Sequence, residues 1–384
     1  MHDAEIPIGP QSPIMKEPIC IRINLDGNKI KDSWIKMGYI HRGMEKLLET
    51  KNINQALYTV EHICGICSFA HSGCFTLAFE KLLDFKKQDN VKFIRMIIAE
   101  LERIHSHLLW FGYAMHEIGF ETLFNYAMRE REYILECFEK LTGNRVHHGI
   151  SKLKTVRYNI NFKDKEFVME RLKKIQDQMD FYIKTTINNK IILSRFENNG
   201  LINRNLAQRF CLVGPTARAS GIKMDVRKDE PYEAYDSVDF NLITEKNGDA
   251  LARTLVRLRE ILESIKIIKQ CFHRLNDKPI PKFEKDFQLK DSETYARIEA
   301  PRGENFHFYK IKDNKILRAK IRTPTFAFIS VLTQLLKDKE IGDVPVIVSS
   351  LDPCFGCMER MIVVKDNKKE VLKEDEFRSR YCKT

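Results

Sequence analysis

No run in this 384-residue sequence comes near the roughly 20 consecutive apolar residues that a membrane-spanning helix needs, so the chain itself is expected to be soluble. Its opening, MHDAEIPIGPQSP, has neither the basic segment nor the apolar stretch of a secretory signal. That points to the reducing cytoplasm, where cysteines serve as thiols or metal ligands rather than bridges. No Pro- or Gly-rich linker, internal repeat or low-complexity tract divides the chain, which predicts one interlocked domain. The formal net charge is +11, yet Lys and Arg are spread among Glu and Asp and form no compact basic block with interleaved aromatics. Nucleic acid is therefore not an expected partner.

What is present suffices for a full core without staples: 43% of the residues are hydrophobic and 30% charged. Short β-type runs fill residues 17–41, with Asp26-Gly27-Asn28 as a hairpin turn candidate. From Gln55 to Leu141 the pattern becomes helical. Phe93, Ile94, Ile97, Ile98, Leu101, Ile104, Leu108 and Phe111 recur at spacings of three and four and predict one long core helix. Residues 165–198 and 248–273 repeat that pattern. Between Tyr295 and Thr323 two extended runs are joined through Lys312-Asp313-Asn314-Lys315, followed by a helix near Phe326–Leu336 and a short buried-strand candidate, VPVIVSS. The expected fold is α+β and mostly helical: a central bundle of long helices with small antiparallel sheets at the N-terminus and in the C-terminal third. Residues 1–50 would form the first sheet and the helix start at Glu45, 51–280 the bundle, and 281–360 the hairpin and a closing segment.

Ten cysteines are present. Cys20, Cys74, Cys137, Cys211 and Cys271 stand alone and suit the role of small buried hydrophobes. Cys64 and Cys67, in EHICGICSFAH, and Cys354 and Cys357, in LDPCFGCMER, form two CxxC pairs. Four soft thiolates suit zinc, iron-sulfur clusters, nickel or copper(I). The pairs lie 287 positions apart (354 − 67), far beyond the local loop of a zinc ribbon, which argues against a ribbon while leaving zinc open. A thioredoxin-like role for CGIC would need a βαβ context that these helical surroundings do not offer.

HRGMEKLLE at 41–49, EHICGICSFAH at 61–71, EAPRGE at 299–304 and DPCFGCMER at 352–360 together resemble the large subunit of NiFe hydrogenases. The likeness is to the energy-converting, membrane-associated type, which is related to the quinone-site subunit of respiratory complex I. IPIGPQSP, GPTARASGIKMDVRKDEPY and NGDALARTLVRLREI fit the same group, so the resemblance spans nearly the whole chain. It implies Cys64 and Cys354 as terminal thiolates on nickel, with Cys67 and Cys357 bridging nickel to an iron that carries CO and cyanide. It further implies Glu45, in the RGxE motif, as a proton carrier and Arg302 as a guanidinium poised over the metals. His71 and Asp352 are expected beside the cluster, His71 as a hydrogen-bond donor to sulfur. The implied reaction is reversible heterolytic cleavage of H2.

Ferredoxin-type cluster motifs are absent from this sequence, so the implied iron-sulfur clusters belong to a partner small subunit, with ferredoxin as the outer carrier. Integral membrane ion-translocating subunits would hold the chain at the cytoplasmic face of the membrane. Nickel-insertion proteins and a maturation protease are implied too, the protease cutting between Arg360 and Met361 to remove residues 361–384. Two positions depart from the family pattern: Ser12 stands where relatives usually have His, and Arg360 stands where the uptake enzymes have a C-terminal His. Two other classes of function compete. One is a catalytically silent scaffold of a complex-I-like module, against which the four paired cysteines speak because the quinone-reducing relatives lack them. The other is a zinc-stabilised structural subunit.

Overall fold

The computed structural model describes residues 4–13, 17–83, 85, 87–282 and 288–358, together with the backbone of two short strands beyond them. The N-terminal sheet is antiparallel, in the order β1 (Ala4–Ile8), β2 (Cys20–Asp26), β3 (Lys29–Lys36), and Asp26 pairs with Lys29 across the expected Gly27-Asn28 turn. Three helices follow: α1 (Met44–Glu49), α2 (Ile53–Glu61) and α3 (Ser68–Leu82). Then come the long α4 (Asp89–His116) and α5 (Glu121–Thr142) and a small ribbon of β4 (Ser151–Lys152) with β5 (Thr155–Val156). The bundle continues with α6 (Phe162–Asn188) and α7 (Lys190–Phe196), through the short α8 (Arg204–Arg209), α9 (Gly214–Arg218) and α10 (Val226–Asp229), to α11 (Ala250–Arg274). A second antiparallel sheet, β6 (Ser292–Ala300), β7 (Gly303–Lys312) and β8 (Lys315–Arg322), precedes α12 (Thr325–Leu336), α13 (Val344–Leu351) and α14 (Phe355–Met358). β9 (Val363–Lys365) and β10 (Lys368–Glu370) pair with each other.

Among the described residues three large apolar cores result, beside a small cluster of Ala219, Ala252 and Val256. The largest lies among α4, α5, α6 and α11. On α4, Ile94, Ile97, Ile98, Leu101, Ile104, Leu108 and Phe111 are all fully buried, each such side chain contributing roughly 2 kcal/mol. A second core joins α1, α2 and α3 to the β6–β8 sheet and includes all four paired cysteines. A third packs the N-terminal sheet against α12 and α13 and includes Phe355. The segment Cys354–Cys357 therefore lies where the second and third cores meet.

Three expectations are corrected. VPVIVSS is not a strand but most of α13, with Pro345 in its first turn, where a missing N–H costs nothing. A short apolar run buried on all sides does not reveal its period; here Trp110 Nε1 donates to the Ser349 carbonyl at 2.7 Å and Arg253 to Ser350 Oγ at 2.8 Å, fixing the helix between α4 and α11. Tyr295–Lys312 is not one extended run. Ala300 pairs with Gly303, so Pro301-Arg302 forms a tight turn that presents Arg302 at the end of a hairpin. Cys211, unlike the other lone cysteines, is exposed.

Candidate metal centre

The sulfurs converge. Cys64 Sγ lies 3.6 Å from Cys354 Sγ, Cys67 Sγ 3.6 Å from Cys357 Sγ, and Cys354 Sγ 2.9 Å from Cys357 Sγ. All four residues are buried. Cys64 belongs to a turn in which the N–H groups of Ile66 and Cys67 point at its sulfur, at 3.3 and 3.4 Å. Cys67 then opens α3, where it offers no capping side chain. The carboxylate of Glu102, from α4, takes that duty, accepting from the Phe69 and Ala70 N–H groups at 2.6 and 2.9 Å. On the opposite side Asp352 takes the left-handed conformation, φ 56°, ending α13 and turning the chain into Pro353 and Cys354. The Cys354 N–H donates to Thr325 Oγ1 at 2.9 Å.

Arg42 ties the two CxxC segments together, its guanidinium donating to the carbonyls of His62, Ile63 and Gly356 at 3.1, 2.6 and 3.1 Å. Arg302 donates from Nε to the Asp352 carbonyl and from Nη2 to Asp352 Oδ1, both at 3.0 Å, and from Nη1 to Ser106 Oγ at 3.2 Å. Its hairpin is seated by two glycines. A Cβ on Gly214 would meet the Arg302 carbonyl oxygen at 2.2 Å, and one on Gly303, at φ 128°, would meet the Gly214 nitrogen at 2.7 Å.

The residues implied for the site divide cleanly. The structure brings together Cys64, Cys67, Cys354 and Cys357 with His71, Arg302 and Asp352. Glu45 is not among the residues lining the cavity over the cysteines. It opens α1 as expected, but its carboxylate accepts from the Ile321 N–H at 2.9 Å and pairs with Lys320 at 3.0 Å on β8. The acid beside the sulfurs is Glu17: Oε2 accepts from the N–H groups of Phe355 and Gly356, and Oε1 lies 3.7 Å from Cys354 Sγ. Burial pushes the Glu17 carboxyl above its ordinary range against the pull of the Gly356 N–H. Sequence reasoning missed it because a lone Glu in a loop has no spacing to mark it. Arg42 was missed as well, although the RGxE motif that contains it is a visible signal.

The donor set fits a bound cation. The Cys64 thiol is held well below its ordinary range, first by its hydrogen bond with Cys354 and then by those with Cys357 and Cys67. Cys357 is pushed well above, first through its hydrogen bond with Cys354. One thiol thus ionises at the expense of its neighbours, and four buried thiolates need metal charge to coexist. Two further atoms at the cavity, Thr323 Oγ1 and Asn305 Oδ1, are buried with no hydrogen-bond partner among the described residues, which suits a site that receives a polar group. Among those residues no helix is long and apolar enough to cross a membrane.

Known proteins align with this architecture along its length. Residues 42–168 match the family described as nickel-dependent hydrogenase, and residues 117–286 and 281–360 match the 49 kDa subunit of respiratory-chain NADH dehydrogenase. Membrane-bound hydrogenase subunit alpha of Pyrococcus furiosus is 33% identical over 97% of this chain and 91% of its own length. A chloroplastic NAD(P)H-quinone oxidoreductase subunit of Marchantia polymorpha is 35% identical over 92% of this chain and 97% of its own. Among solved structures, a chain of the membrane-bound sulfane sulfur reductase, an archaeal respiratory membrane complex, superposes with a TM-score of 0.87 at 29% identity, covering 93% of this chain and 98% of the other. With the paired cysteines brought to one buried point and both halves matched, the chain belongs to the family of NiFe hydrogenase large subunits of the energy-converting, membrane-associated type, relatives of the 49 kDa subunit of respiratory NADH dehydrogenase.

Proposed function

We propose that this chain is the catalytic large subunit of an energy-converting NiFe hydrogenase that cleaves H2 reversibly and heterolytically. The observation that carries this reading is the meeting of two CxxC pairs from opposite ends of the sequence in one buried sulfur cluster. Cys64, Cys67, Cys354 and Cys357 would hold a Ni-Fe centre between them, since sulfurs from both pairs approach one another at 3.6 Å. When bound, that centre would supply redox chemistry and an open position at which H2 is polarised.

The chain's own residues would do the rest. Asp352 holds the Arg302 guanidinium by two hydrogen bonds at the cavity, where its fixed charge favours anionic groups. Cys354 Sγ and Glu17 Oε1 form the first step of a proton path, since 3.7 Å is within reach of a small side-chain adjustment. Gly356 leaves that carboxylate room, because a Cβ there would stand 2.9 Å from Glu17 Oε1.

Electrons would pass to ferredoxin through an iron-sulfur small subunit, and integral membrane partners would couple the reaction to ion translocation at the cytoplasmic face. Nickel-insertion proteins would load the site before a protease cuts at Arg360, a position outside the described residues. The similarity to a quinone oxidoreductase subunit favours a second reading, a silent scaffold in a complex-I-like assembly; four convergent thiols weigh against it. Metal analysis of the complex from its native host, with H2-dependent dye reduction, tests both. Stoichiometric nickel and iron with H2 oxidation are expected, and stoichiometric zinc without activity would leave the structural reading.

A further inference from the structure

The strand that leads into the Pro301-Arg302 turn is an edge strand, yet its last three residues are buried. Among the described residues β6 pairs with β7 alone, so the carbonyls on its other side need partners that are not a strand. Arg103, buried on α4, supplies them at the last two residues of β6: Nη2 donates to the Glu299 carbonyl at 2.7 Å and Nη1 to the Ala300 carbonyl at 3.2 Å. In a regular strand consecutive carbonyls point to opposite edges. Two that converge on one guanidinium require a backbone that is already turning, as this one does into Pro301-Arg302.

The guanidinium is itself held still. Its Nε donates to Glu100 Oε2 at 3.2 Å, and Glu100 also accepts from Arg227 at 3.0 and 3.1 Å and from Tyr235 Oη and Ser264 Oγ, both at 2.6 Å. Three residues after Arg103, on the same face of α4, Ser106 Oγ accepts from Arg302 Nη1 at 3.2 Å. One helix thus grips the hairpin twice, at its base through the backbone and at its tip through Arg302. The Glu299 side chain is a separate anchor, accepting from Arg218 Nη1 at 2.7 Å and from the Val226 N–H at 3.1 Å. Backbone and carboxylate of the same residue are held by different partners, so the two anchors can be tested apart.

We propose that Arg103 is a positioning residue: its fork sets the bend at Glu299-Ala300 and thereby aims Arg302 at the cysteine cavity. A lysine could not replace it, because a single ammonium lacks the planar fork that holds two carbonyls in fixed relation. What the aimed guanidinium serves rests on the metal-site reading; what aims it does not.

The test is ¹H–¹⁵N correlation spectroscopy of the arginine Nε–H groups, on the full chain labelled in arginine, with hydrogen exchange followed signal by signal. Arg302 Nε–H, which donates to the Asp352 carbonyl, and Arg253 Nε–H, which donates to Ser350 Oγ, are assigned from Arg302→Lys and Arg253→Lys. Both should be protected in the wild type. In Arg103→Lys the Arg302 signal is expected to exchange roughly 10-fold faster or more, as for a group released by local opening, with Arg253 unchanged. Glu299→Gln keeps the backbone carbonyl for Arg103 and should leave Arg302 within a few-fold of wild type. Unchanged protection of Arg302 in Arg103→Lys, or an equal loss in Glu299→Gln, would overturn the proposal. So would faster exchange at Arg253 as well in Arg103→Lys, since Arg103 would then be a general support of the fold. No bound metal is needed, so the result is independent of whether the chain proves to be a hydrogenase.

Discussion

Glu17 is held by the backbone of the segment that carries the second cysteine pair: its carboxylate accepts from the Phe355 and Gly356 N–H groups while one oxygen stays 3.7 Å from Cys354 Sγ. The RGxE glutamate, Glu45, is instead engaged by β8, so among the described residues the acid placed against a sulfur, Glu17, comes from the loop before β2.

Glu17→Gln keeps an acceptor for the backbone but removes the titrating oxygen. H2/D⁺ exchange should fall roughly 100-fold or more, the usual worth of a positioned acid or base, with nickel content unchanged. Glu45→Gln, in contrast, keeps an acceptor for Ile321 and should leave exchange within a few-fold of wild type. Equal losses in the two variants would contradict the assignment.

Gly303→Ala places a methyl against the Gly214 backbone at a φ of 128°. Loss of roughly 3 kcal/mol is expected from strain and displacement together, read as a lower urea midpoint. Arg302 would be misplaced with the hairpin, so any folded fraction should also have lost activity.

The periodicity of α4 was readable because a 28-residue helix buried in a bundle repeats its stripe many times over. The CxxC pairs were readable because metal-ligand spacing is local. Their meeting across the fold, and the ranking of Glu17 over Glu45, depends on how β2, α14 and β8 pack, which no local pattern encodes. α13 escaped for a different reason: eight apolar and small residues buried on nearly every side have no face to betray their period. Arg103 looks like one more polar residue of a helix until the hairpin places the Glu299 and Ala300 carbonyls beside it.

Arg42 donates to three backbone carbonyls drawn from both cysteine segments. Arg42→Ala should cost roughly 3 kcal/mol, seen as a lowered Tm. Because the variant also loosens the distance between the pairs, purified protein should hold less nickel than wild type even below the unfolding transition.

Acid should destabilise the fold through its buried neutral histidines. Burial holds His148, stacked on Phe138, down to about 3, and His107 down to about 4. With folded values below the unfolded value of about 6.5, the unfolded chain binds protons that the native one refuses, so stability is complete above that value and falls as the pH drops toward 4. Each histidine contributes about 1.4 kcal/mol per pH unit within that window. Urea midpoints of the His148→Phe variant between pH 7 and 4 should show a shallower loss by about one proton's worth; an unchanged slope would mean that His148 titrates normally.

Whether the four convergent thiols hold a Ni-Fe centre is decided by infrared spectroscopy of the complex purified from its native host. Bands of iron-bound CO and cyanide are expected in the wild type and should vanish in Cys357→Ala. Protein shown by mass to end at Arg360, carrying no such bands, would contradict the account.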